Sequence, residues 1–96
     1  MALKAVRLIV QGRVQGVGYR WWTRETARGL GLDGWVRNLT DGSVEILAIG
    51  GAQAVDQLVA RCHEGPAAAR VSAVTVEPAK DDGSRGFEQR ATREDD

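Results

Sequence analysis

The chain is predicted to fold as α+β, an antiparallel sheet with two helices on one face, joined in the ferredoxin-like split βαβ order. Three observations predict it. Apolar residues alternate at period two in residues 5–11 and again on both sides of Thr40-Asp41-Gly42, which is strand spacing. Two other segments repeat apolar residues at three and four, which is helix spacing. Read along the chain with a further strand over 71–77, the order is βαββαβ.

Each element has a local cause. In residues 5–11, Val6, Leu8 and Val10 alternate with Arg7, Ile9 and Gln11, so one face is the more apolar. Residues 20 to about 30 carry Trp22, Thr23, Thr26, Ala27 and Leu30 on one stripe, with Arg24, Glu25 and Arg28 elsewhere. Gly29 and Gly31 stop that helix. Residues 34–39 and 43–49 form a hairpin around Asp41-Gly42, a strong turn signal between alternating runs. Residues 52–64 form the second helix, with Val55, Leu58, Val59 and Cys62 inward and Gly65-Pro66 as its stop. Residues 71–77 are a strand ended by Pro78. A polar turn, Lys80 to Ser84, then leads to a short fifth strand around Phe87. Residues 1–90 are expected to form one domain, and the polar residues 91–96 a mobile tail.

Composition narrows the function classes. The 96 residues allow one modest core, and 43% hydrophobic with 27% charged residues suits a soluble globular protein. No apolar run approaches a membrane span. Lys4 and Arg7 interrupt the first apolar run, which spoils a secretory reading, and without one the sequon Asn38-Leu39-Thr40 is not expected to carry glycan. Cys62 is the only cysteine, so no internal disulfide and no multi-cysteine metal site is expected, and the location read from this is cytoplasmic. Net charge is zero but unevenly spread. Residues 1–37 hold seven Lys or Arg against two Asp or Glu, and the remainder six against eleven. The basic part favours an anionic ligand.

That basic part contains the most informative stretch, Gly12-Arg-Val-Gln-Gly-Val-Gly-Tyr-Arg20. It leaves a strand and opens a helix. Glycines let neighbouring N–H groups turn toward one point, and a helix start adds unpaired N–H groups at a positive dipole end. Arg20 adds a planar fork of donors that matches a phosphate or carboxylate. Gly12, Gly16, Gly18 and Arg20 thus read as a cradle for an oxyanion such as a phosphoryl group, the alternative being a tight turn with a solvated surface arginine. No Gly-Lys-Ser/Thr follows, so it is not a Walker loop. A second glycine pattern, Gly29-Leu-Gly31-Leu-Asp-Gly34, has dinucleotide-fingerprint spacing but ends a helix and enters a strand, the reverse of the required context.

The topology brings a second residue to the cradle. Ten helical residues descend about 15 Å and five strand residues climb about 16 Å, so the strand ending near Asn38 returns to cradle height. With the hairpin strand between, Asn38 lies two strand spacings from the first strand, roughly 10 Å, which suits a phosphoryl group plus a water. An amide donates to one partner and accepts from another, so Asn38 can orient an attacking water, the alternative being a turn residue before the hairpin.

These two stretches resemble the acylphosphatase family. Gly12 to Arg20 is similar to its first signature, and Gly34-Trp-Val-Arg-Asn38-Leu-Thr-Asp-Gly42-Ser-Val44, continuing to Gly50, to its second. The resemblance spans roughly residues 4 to 90 and is weakest at Gly86-Phe-Glu-Gln-Arg90, which is unusually polar. It implies hydrolysis of an acyl phosphate to a carboxylate and inorganic phosphate without metal or organic cofactor. By the same resemblance, the Arg20 side chain and the backbone N–H groups of Gln15, Gly16, Val17, Gly18, Tyr19 and Arg20 would bind the phosphoryl group, and Asn38 would orient the water. A monomer with no membrane or nucleic-acid partner is expected.

The remaining reactive side chains read as bystanders. His63, the only histidine, sits late in the second helix and reads as surface. Cys62 reads as core and Trp35 as packing, while Trp21 either packs half-exposed or flanks a substrate's acyl group. Two other function classes share this fold. An RNA reader would need paired aromatics on the central strands, where Ile9 and Leu47 stand instead. A regulatory or carrier module, like the related domains within larger carbamoyl-transferring maturation enzymes, differs in its attachment, and the Met1 start and polar tail favour a free-standing protein.

Overall fold

A computed structural model of the chain describes residues 2–92. The elements are β1 (Leu3–Arg13), α1 (Tyr19–Gly29), β2 (Asp33–Asn38), β3 (Val44–Gly51), α2 (Ala52–Cys62), β4 (Arg70–Pro78) and β5 (Phe87–Gln89). They form one five-stranded sheet in the order β4-β1-β3-β2-β5. The expected βαββαβ core is present, with β3 between β1 and β2 as the topology required. From residue 93 onward the expected tail lies outside the described residues.

The helix-facing side of the sheet carries the main core. Val6, Leu8 and Val10 of β1 and Val44, Ile46 and Ala48 of β3 meet Tyr19 and Ala27 of α1 and Val55, Leu58 and Cys62 of α2. The period-two residues of the strands and the period-four residues of the helices therefore bury the same surface, which is what fixes strand register. Cys62 is fully buried, and desolvation pushes its thiol up to about 12, so it is an inert core residue at neutral pH.

The central strand β3 is buried on both faces from Val44 to Ile49, Glu45 included. Glu45 survives burial because its neighbours on both sides are arginines. It is in register with Arg37 of β2 and lies beside Arg7 of β1, and accepts a hydrogen bond from each guanidinium, at 2.6 Å from Arg37. Desolvation alone would raise its carboxyl, but the two guanidinium groups outweigh it and hold it below the ordinary range. The same outer face packs Trp35 against Leu47 and Ile49, with Arg37 4.5 Å and Arg90 5.0 Å from the Trp35 ring.

The C-terminal strand is where the structure departs most from the expected sheet. β5 pairs parallel to β2, so the sheet is mixed rather than wholly antiparallel. Only Phe87 of its three residues is buried, which accounts for its polar composition: Glu88 and Gln89 lie exposed at the sheet edge. Backbone bonds hold it at both ends, from the Gly34 N–H to the Gly86 carbonyl at 2.9 Å and from the Arg90 N–H to the Val36 carbonyl at 2.8 Å. The Arg28 Nε adds a bond to the Phe87 carbonyl at 3.0 Å, tying α1 to the same strand.

Candidate active site

The segment between β1 and α1 is shaped by its glycines. Gly16 has φ +73° and Gly18 φ +80°, and no other residue type in the described chain takes a positive φ. The sign of φ therefore alternates through Gly16, Val17, Gly18 and Tyr19. Such alternation turns successive N–H groups into one concavity that suits an anion. Nothing lies within 4 Å of where a Cβ would stand on either glycine, so they serve backbone conformation and an open approach rather than packing. Gly12, expected in the same loop, instead belongs to β1, at an irregularity in its pairing with β4.

Helix α1 continues the concavity. Gly18 occupies its N-cap position and no side chain caps it. The first helical bond runs from the Trp22 N–H to the Gly18 carbonyl at 3.0 Å, which leaves the N–H groups of Tyr19, Arg20 and Trp21 directed out of the helix end. No acidic residue occupies the first turn to satisfy them. Tyr19 contributes only backbone here. Its ring is buried and its hydroxyl donates to the Cys62 carbonyl at 2.7 Å, with burial pushing the phenol well above its ordinary range.

A cavity of about 110 Å³ opens at this helix end, lined by Gly16, Gly18, Arg20, Trp21, Asn38 and Gln89, with Val14 and Tyr19 beneath. Arg20 and Asn38, 18 positions apart in sequence, thus share one small site. Asn38 is the last residue of β2 and is half-buried, with its backbone in register with Val44. Arg20 is held from the far side: its Nη1 donates to the Arg90 carbonyl at 3.1 Å. One end of the guanidinium is thereby anchored and the rest of the planar fork remains for a ligand.

Gln15 has a role that its place in the loop motif does not reveal. Its Nε2 donates to the Leu39 carbonyl at 2.8 Å and the Ser43 carbonyl at 2.9 Å. Those carbonyls flank the β2–β3 turn, so one amide clamps the cradle loop to the hairpin that presents Asn38. Asp41 braces the same turn by accepting from the Ser43 N–H at 2.9 Å. Gln15→Ala is expected to destabilise the fold by about 1–3 kcal/mol, the range for unpairing part-buried carbonyls. Turnover should fall as the loop and hairpin lose register. Urea unfolding beside steady-state kinetics checks both, and a variant with wild-type stability and turnover refutes the clamp.

Gln89 and the Arg90 carbonyl were not foreseen, because nothing local to the loop motifs signals that a parallel β5 would end beside Arg20. His63 is exposed at the end of α2 and takes no part. Among the described residues, Arg20 is the only charged one lining the cavity and the Tyr19 hydroxyl is engaged elsewhere, so these lining residues present no general acid or base. What this arrangement can do is bind an anion by N–H groups and a guanidinium, and present an amide beside it.

A family model described as Acylphosphatase matches residues 6–89. The chain is 60% identical over 89 residues to the acylphosphatase of Rubrobacter xylanophilus, covering 91% of this chain and 80% of that relative. Its fold is similar to the structure of an acylphosphatase from Coxiella burnetii, with a TM-score of 0.88 and 36% identity over 92% of this chain and 93% of that one. The crystal structure of acylphosphatase from Bacillus subtilis is similar at a TM-score of 0.87 and 37% identity, covering 93% of this chain and 99% of that one.

Proposed function

Since the chain belongs to the acylphosphatase family and hydrolyses acyl phosphates, we propose that Arg20 and the N–H groups of residues 15–20 bind the phosphoryl group while Asn38 orients the attacking water. The observation that carries this reading is the single small cavity lined by Arg20, Asn38 and the Gly16–Gly18 concavity.

The chemistry suits such a site. The water oxygen attacks phosphorus, and the bond from phosphorus to the acyl oxygen breaks. That oxygen keeps the electron pair and leaves as a carboxylate. The conjugate acid of this leaving group has a pKa of about 4, so departure needs no protonation. The water's proton passes to a phosphoryl oxygen, giving inorganic phosphate. Phosphoryl transfer mostly requires alignment and charge stabilisation, which the fork and the N–H groups supply and the Asn38 amide completes. An alcohol is a far poorer leaving group, so simple phosphate monoesters should turn over slowly.

The proposal includes a cytoplasmic monomer that needs neither metal nor organic cofactor. The free, buried Cys62 suits a reducing compartment, and β3 is covered on both faces within one chain. Among the described residues no helix is long and apolar enough to cross a membrane. Phosphate release from a generic acyl phosphate tests the reading. Inorganic phosphate should inhibit competitively, because the same donors bind the product, and chelator should leave the rate unchanged. Activity abolished by chelator and restored by a divalent cation, or hydrolysis indifferent to phosphate, overturns it.

A further inference from the structure

Three large apolar side chains are strongly exposed among the described residues: Leu3, Trp21 and Val76. Leu3 begins β1, at the end of the strand remote from the cradle, and Val76 lies on the edge strand β4. Trp21 is different because its indole, 56% exposed, lines the same cavity as Arg20 and Asn38. The other apolar lining residues, Val14 and Tyr19, are each 1% exposed. Among the described residues the indole finds no hydrogen bond, ring contact or cation of the protein. The neighbouring Trp22 has the opposite fate, half-buried with its ring centroid 5.4 Å from that of Tyr19.

Resting on the site reading above, we propose that Trp21 is the acyl-group platform of this enzyme and selects acyl phosphates with a large flat apolar acyl group. A cavity of about 110 Å³ accommodates a phosphoryl group and a water but not a bulky acyl chain as well. The acyl group of a bound substrate therefore lies at the mouth. Among the described residues that line the cavity, the one exposed apolar side chain is the indole, one residue beyond the arginine proposed to hold the phosphoryl group. Burying an indole against a second flat group removes apolar area from water and adds the offset-stacking preference of aromatic pairs. Such a contact is made in ground state and transition state alike, so it acts on KM.

The test compares kcat/KM for benzoyl phosphate and acetyl phosphate in the wild type, Trp21→Ala and Trp21→Phe, with competitive inhibition by inorganic phosphate measured on each. The benzoyl-to-acetyl ratio is expected to fall about tenfold in Trp21→Ala, through KM for benzoyl phosphate, and to recover in Trp21→Phe. An unchanged ratio in Trp21→Ala overturns the proposal. So does an equal loss on both substrates accompanied by weaker phosphate inhibition, which would mean a distorted cradle. Failure of the underlying site reading is visible separately, as undiminished phosphate inhibition in Arg20→Lys.

Discussion

Arg20→Lys is expected to lower turnover by about a hundredfold or more and to weaken phosphate binding at the same time. Lysine keeps the charge and loses the planar fork, so it cannot hold the Arg90 carbonyl and a phosphoryl oxygen in one rigid geometry. Removing one aligned donor from a developing oxyanion typically costs about 3 kcal/mol, and each 1.4 kcal/mol is roughly tenfold in rate. In the proposed role the guanidinium meets phosphate in product and transition state alike, so both quantities should suffer. Arg20 is half-buried on the first turn of α1 and outside the core, so the variant should fold. Phosphate affinity by calorimetry, beside turnover of an acyl phosphate, checks the result. A variant with wild-type phosphate affinity removes Arg20 from the cradle.

Asn38→Ala should separate the two quantities. It deletes the amide proposed to aim the water and leaves the proposed phosphate donors in place, so turnover should collapse, by about a hundredfold or more, while phosphate affinity stays near that of the wild type. The backbone pairing of residue 38 with Val44 does not depend on the side chain, so the hairpin should hold. Retained turnover, or a loss of phosphate binding as severe as in Arg20→Lys, means that the roles are not divided in this way.

Much of the placement of this candidate site was legible in the chain because its parts are local or follow from topology. Gly16, Gly18 and Arg20 sit within five positions of one another, and their backbone demands show as residue types. Asn38 could be placed from strand and helix rises plus the rule that the hairpin strand lies between its neighbours, and β3 does lie there. What was not legible depends on contacts between distant backbone groups. The Gln15 amide chooses the Leu39 and Ser43 carbonyls only once the turn exists, and any residue type supplies a carbonyl. The parallel seat of β5 was hidden for a related reason: an edge strand with one buried side chain has almost no hydrophobic pattern to read. Glu45 broke the apolar pattern of β3, and only the flanking Arg7 and Arg37 explain how a carboxylate comes to lie in a central strand. The same outer face bears on the RNA-reader alternative. Trp35, its one large aromatic, is 8% exposed under Arg37 and Arg90, so it offers no open platform for a base.

The bond from Arg20 to the Arg90 carbonyl has a consequence for the order in which the protein becomes competent. The cradle and Asn38 both lie in the first 40 residues, and the carbonyl that holds the guanidinium lies in the last stretch of the described chain. On the ribosome, where residues emerge one after another, the chemical parts are made early and the part that aims them is made late. On the role proposed for Arg20, catalytic readiness coincides with docking of β5. On that proposal, a nascent chain carrying both signature motifs binds phosphate imperfectly until β5 has docked.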